Sequence, residues 1–142
     1  MSNWKSDIEK MHTKFGVNPV LRDLDAEKLK WFLQFRTDFL QEELNELKKA
    51  FQVDNNADDV VDALIDLCVV ALGTLDAFDV DATKAWNRVH RANMNKNVGI
   101  KPERPNPLGL PDLVKPQGWK KPYHWDNIGL LSKFLDSGKP KK

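Results

Sequence analysis

A chain of 142 residues, 41% of them hydrophobic and 30% charged, is long enough for one domain with a modest core. Its single cysteine, Cys68, excludes an internal disulfide framework, and its longest apolar run, residues 67–72, is too short to span a bilayer. Residues 1–15 lack the apolar stretch of a secretory leader, so the expectation is a soluble, cytoplasmic protein in a single domain over residues 1–142.

The net charge of +1 hides a segregation. Residues 41–66 hold eight acids and two bases, while residues 81–142 hold thirteen Lys and Arg and five acids. One part of the chain attracts cations and another attracts anions. That pairing suits a metal-bound phosphate compound, and it also arises where a basic flank merely solubilises.

Trp4, Ile8, Met11 and Phe15 recur at helical spacing and predict a first amphipathic helix. Gly16 and the Asn18-Pro19 pair end it. Asp25 caps a second helix that runs unbroken to about Phe51, with Leu29, Phe32, Leu33, Arg36, Leu40, Leu47 and Phe51 near one side. Asn55 or Asn56 caps a third helix, which beyond Asp66 is apolar nearly all round and therefore central. Gly73 lies on its acidic face and leaves room for another backbone. Asp81 caps a fourth helix reaching Asn97, with Ala82, Ala85, Trp86 and Val89 turned inward.

The texture then changes. Residues 98–125 contain six of the eight prolines and cannot be helical, but Trp119 and Trp125 imply that they pack on the helices. A short helix is expected over about 127–136, then a frayed basic tail to Lys142. The fold class is all-α: a bundle of four or five helices, with core helices over about 4–97 and a Pro-rich segment laid on it.

The third helix poses a question. Asp59, Asp62 and Asp66 fall at i, i+3 and i+7 on one face of an otherwise apolar rod. Carboxylates about 5 Å apart repel by on the order of 3 kcal/mol at an effective dielectric near 20. Either water or a cation must take up that charge. The second helix carries its own set, Glu42, Glu43 and Glu46, in QEELNEL. An acidic pair on each of two packed helices can surround one or two Mg2+ ions, which need few protein ligands because they keep several waters. E-x-x-E alone is commonly a solvated face, so both readings stay open on pattern. The fourth helix supplies the opposite sign in RVHRANMNKN, where Asn93 and Lys96 share a face. His12, His90 and His124 show no zinc spacing, and there is no phosphate-binding loop or nucleophile elbow.

Taken in order, E-E-x-x-E, the Asp-bearing stretch DLCVVALGTLDAFDVD, VHRANMNK and KPQGWKKP resemble the all-α nucleotide pyrophosphohydrolases over roughly residues 8–125. That superfamily includes MazG-like enzymes, dimeric dUTPases and phosphoribosyl-ATP pyrophosphohydrolase. The nearest likeness is to the small single-domain MazG-like and phosphoribosyl-ATP-pyrophosphohydrolase-like proteins. The resemblance implies Mg2+- or Mn2+-dependent cleavage of a nucleoside triphosphate to its monophosphate and pyrophosphate. It also implies a helical bundle completed as a homodimer or homotetramer.

Family metal ligands map onto Glu43, Glu46 and Asp66, with Glu43 or Glu46 also handling the attacking water. The usual second element is E-x-x-D, but the position three before Asp66 is Ala63. Asp62 is the first substitute and Asp59 the second. Asn93 and Lys96 match phosphate-contacting positions, and Lys115, Trp119 and Lys120 match a loop near the site. Trp31, Phe35 and Trp86 are stacking candidates for a base, although core packing is the expected role of each. The alternative from another class is a non-catalytic helical oligomer acting as a binding or regulatory module. A nucleic-acid binder is disfavoured because the Pro-rich segment contains no reading module.

Overall fold

The computed structural model describes residues 3–141, so Lys142 of the expected tail lies outside them. Five α-helices carry the architecture: α1 (Trp4–Phe15), α2 (Val17–Arg22), α3 (Ala26–Gln52), α4 (Ala57–Ala77) and α5 (Ala82–Met94). Next comes a two-stranded antiparallel ribbon, β1 (Asn97–Gly99) pairing β2 (Asp112–Val114) in the register Val98 to Leu113. A 3-10 helix, Gly129–Lys133, closes the chain. The class is all-α, as the periodicity requires.

Caps set the helix starts. Asp25 accepts from the Lys28 amide, Asn56 from that of Asp59 and Asp81 from that of Lys84, each satisfying a first-turn donor. α3 and α4 are joined by four residues, 53–56, and lie antiparallel in the most extensive packing between any two helices of the described residues. They form the spine. α1 lies across α4, burying Ile8 and His12, while Trp4 and Phe15 stay exposed.

The structure corrects the expected punctuation at three places. Gly16 does end α1 in a left-handed turn (φ 67), but Asn18-Pro19 does not begin a loop. Pro19 sits in the first turn of α2, where a missing N–H costs nothing. α5 stops at Met94, so Lys96 lies just beyond the helix and Asn97 opens β1. The expected last helix is a single 3-10 stretch. Burial also departs from expectation: Trp86 is 70% exposed and Val89 40%, rather than turned inward. Trp31 and Phe35 are exposed too. All four face away from the chain that carries them.

The apolar core lies at one end of the spine. Leu21 of α2, Leu29 of α3, and Ala77, Phe78 and Val80 at the end of α4 form it. Leu130, Leu131 and Phe134 cover it from the C-terminal segment. This closure depends on Gly129, which has φ 51; a Cβ there would meet the Phe78 carbonyl oxygen at 1.9 Å. That carbonyl accepts instead from the Leu130 amide (2.8 Å). The segment between clamps α5: Arg88 bonds Asp126 in a fork and the Tyr123 carbonyl, and Asn127 exchanges bonds with the Asp81 backbone. Leu29 is fully buried, so Leu29→Ala is expected to lower stability by about 3 kcal/mol. The midpoint of urea unfolding measures it.

Candidate metal and phosphate site

Seven residues after Arg36, α3 presents Glu43, and one turn later Glu46. On the antiparallel α4, Asp66 comes opposite. One carboxylate oxygen from each of Glu43, Glu46 and Asp66 lies within 4.8 Å of the others. Glu43 is buried, Asp66 half-buried and Glu46 exposed, so the group opens to solvent on one side.

Burial works against the charges. Glu43 is raised above the ordinary 4.5, first by desolvation and then by the charges of Glu46 and Asp66. Asp66 is raised above 3.8 by desolvation, then by Asp62 and Glu46. Glu43 Oε2 is buried with no hydrogen-bond partner. A native interior rarely leaves such an atom unpaired, because desolvating it costs on the order of 1–3 kcal/mol or more. Opposite oxygens around a Mg2+ ion lie about 4.2 Å apart, and the three oxygens here all lie within 4.8 Å of one another. The donors are all hard oxygens, and the site fits a small divalent cation.

Asp62 is exposed and stands beside Asp66, raising it by charge and by a shared hydrogen bond, but it is outside the three-oxygen group. Asp59 is exposed in the first turn of α4, its amide bonded to Asn56. Ala63 is buried against the spine.

The basic residues assemble elsewhere. Trp119 donates its indole N–H to the Ala92 carbonyl of α5 (2.7 Å). Lys96 and Lys115 both lie over its ring, at 5.3 and 5.2 Å from the centroid. The two ammonium groups thus share one aromatic ring at the end of α5, with Asn93 half-buried one turn before Lys96. A cleft of about 350 Å³ lined by Asn95, Pro116, Gln117, Gly118, Trp119 and Lys120 adjoins them. Among the described residues, no side-chain hydrogen bond or ion pair joins this cluster to Glu43, Glu46 or Asp66.

Sequence reasoning missed a buried polar node beside the acids. Gly73 admits side chains rather than a backbone: Arg36 from α3 and His12 from α1. His12 Nδ1 donates to Asp76 Oδ2 (2.6 Å), and Asn18 donates to the same residue. The available signal was Arg36 itself, a charge within an apolar stripe.

Two antiparallel helices thus meet through facing carboxylates. Residues 24–93 match the family model described as phosphoribosyl-ATP pyrophosphohydrolase. This segment of the chain belongs to that family, within the MazG-like all-α superfamily. It spans Glu43, Glu46, Asp62, Asp66 and Asn93; Lys96, Lys115 and Trp119 lie beyond it. No curated protein and no solved structure matches the chain.

The raised carboxyls give a signed prediction. An acid whose folded value lies above its unfolded one stabilises the fold only while protonated in both states. For Glu43 that condition holds below about 4.5 and is lost as pH climbs through its raised folded value. In chelator, Glu43→Gln is therefore expected to melt higher than wild type at pH 7, and the difference should vanish at pH 4. Thermal melts across pH measure it.

Proposed function

We propose that this chain is a Mg2+- or Mn2+-dependent nucleoside triphosphate pyrophosphohydrolase, converting a (d)NTP to its monophosphate and pyrophosphate. The observation that carries the reading is the orphaned Glu43 oxygen within a three-carboxylate group drawn from two helices. Membership of the matched segment in a pyrophosphohydrolase family points to the same reaction class.

Glu43, Glu46 and Asp66 hold the metal, with Asp62 as the fourth carboxylate. A bound divalent ion would supply Lewis acidity toward phosphoryl oxygens and a lowered pKa for water. Glu46, the exposed member, orients the incoming water. Glu43 or Glu46 accepts the water's proton as oxygen attacks the α-phosphorus. The bond from that phosphorus to the bridging oxygen of the β-phosphate breaks, and pyrophosphate leaves. Lys96 and Lys115 neutralise the departing charge, and Asn93 donates to a phosphate oxygen. Phosphoribosyl-ATP contains the same α–β bond and belongs in the substrate set beside the ordinary nucleotides.

A homodimer or homotetramer completes the bundle in this reading. The chain exposes 10666 Å², against about 7,500 Å² for a compact monomer of 16.3 kDa. Much of the excess is apolar: Trp31, Phe35, Leu64, Ile65 and Trp86 are all exposed. Association also supplies the acids with a basic partner surface, because the segregated charges of two copies are complementary. Among the described residues no helix is long and apolar enough to cross a membrane.

A panel of nucleoside triphosphates and phosphoribosyl-ATP with Mg2+, read by product identity, tests the function. Monophosphate plus pyrophosphate is expected; diphosphate, or no turnover at all, rejects it in favour of another chemistry or a silent binding module. Glu46→Gln should abolish pyrophosphate release while circular dichroism stays unchanged. Lys96→Ala should raise KM for the triphosphate and leave Mn2+ affinity intact. Mg2+ at about a hundred times its Kd should stabilise the fold by roughly 2.7 kcal/mol, seen as a higher melting temperature.

A further inference from the structure

We propose that Arg36 is a positioning residue that locks the register of α3 against α4, and through it the convergence of Glu43, Glu46 and Asp66. Its Nε donates to Thr74 Oγ1 (2.9 Å) and its Nη2 to the Val70 carbonyl (2.9 Å). Thr74 Oγ1 donates to the same carbonyl (2.7 Å), so one oxygen on α4 gathers both groups. Glycine at position 73 leaves space for the guanidinium's end, which an added side chain would displace. A Cβ there would stand 2.8 Å from Nη2 and 3.4 Å from His12 Nε2.

The cost of this arrangement argues for a positional role. Arg36 is half-buried, makes no ion pair within the described residues, and spends its donors on neutral oxygens. Burying an unpaired charge is expensive, and an apolar side chain would pack the same seam at less cost. What an apolar residue lacks is direction. A fork bonded to two atoms of the neighbouring helix fixes both translation and rotation.

The spacing ties this lock to the acids. Glu43 is seven residues beyond Arg36 on α3, and Asp66 is seven residues before Gly73 on α4. In antiparallel helices these steps match, so the polar node and the acidic group are successive layers of one seam, about 10.5 Å apart. The apolar cluster around Leu29 and Phe78 holds the far end of the seam, and Ala50 and Ala63 are buried nearer the α3–α4 turn. Without Arg36, like charges facing across the seam would push the acidic layer toward another register. One residue of slip moves a side chain by about 1.5 Å along the axis and turns it by about 100°, which disperses the three oxygens.

The register claim stands on geometry; its bearing on metal affinity rests on the function proposed above. Two measurements separate them. Spin labels at Gln41→Cys and Val61→Cys, both exposed, in a Cys68→Ser background diluted with unlabelled protein, report the α3–α4 offset by pulsed electron resonance. Mn2+ titration reports the site. Arg36→Met is expected to shift or broaden the label distance and weaken Mn2+ binding roughly 10- to 100-fold, as loss of an orienting partner does. Arg36→Lys, which reaches one acceptor and not both, should fall between. Gly73→Ala keeps the arginine but takes its space, and should reproduce the shift. The last two variants decide the matter alone if Arg36→Met does not fold. An unchanged distance in the folded variants overturns the proposal, whatever the Mn2+ result. A shifted distance with no Mn2+ binding by wild type upholds the register lock and rejects the metal reading instead.

Discussion

Like charges pressed together between two helices are the constraint on which the rest of the structure depends. Glu43, Glu46 and Asp66 meet at the α3–α4 seam, where desolvation and mutual repulsion hold Glu43 and Asp66 above their ordinary values. Such a layer stabilises nothing by itself. It persists because apolar packing around Leu29 and Phe78 holds one end of the spine, and because Arg36 and its α4 acceptors fix the layer between. A layer that loses stability when empty and charged gains most from a cation, by mass action.

The second half of the chain solves a different problem. α5 packs only lightly on the spine and is instead clamped by the C-terminal segment, through Arg88–Asp126, Asn127–Asp81 and Trp119–Ala92. The result is an arm whose basic end is organised around one indole ring and whose apolar side, at Trp86 and Val89, has no cover within the chain. Charge separation along the sequence thereby becomes charge separation in space.

Local rules worked where local forces decide. The starts of α3, α4 and α5 were legible because Asp25, Asn56 and Asp81 bond amides three residues away. The unbroken run to Phe51 and the apolar texture of α4 gave the spine. Spacing placed Asp59, Asp62 and Asp66 on one face of a helix, while Glu43, Glu46 and Asp66 as a set followed from the family resemblance. The same local reading failed at Pro19, where a helix break and a first-turn proline have the same sequence. It failed at Asn97, because the β1–β2 pairing that draws the chain out of α5 joins residues 97–99 to residues 112–114, too far apart for a periodicity to register. It placed Trp86 inward because the pattern marks an apolar face without saying whose surface covers it.

The sequence by itself determined the helical class and the length and polarity of the two central rods, since these follow from a period of 3.6 and from capping within four residues. Only the tertiary structure decided that Glu43 is buried with an oxygen unpaired, that Asp62 stands just outside the converging group, that Gly73 makes room for Arg36 and His12, and that the lysines gather on Trp119 rather than beside the acids. Those outcomes depend on the register of one helix against another and on the path of a long proline-rich connection. Both are settled by contacts between residues distant in the chain, and such contacts leave no spacing for the sequence to show.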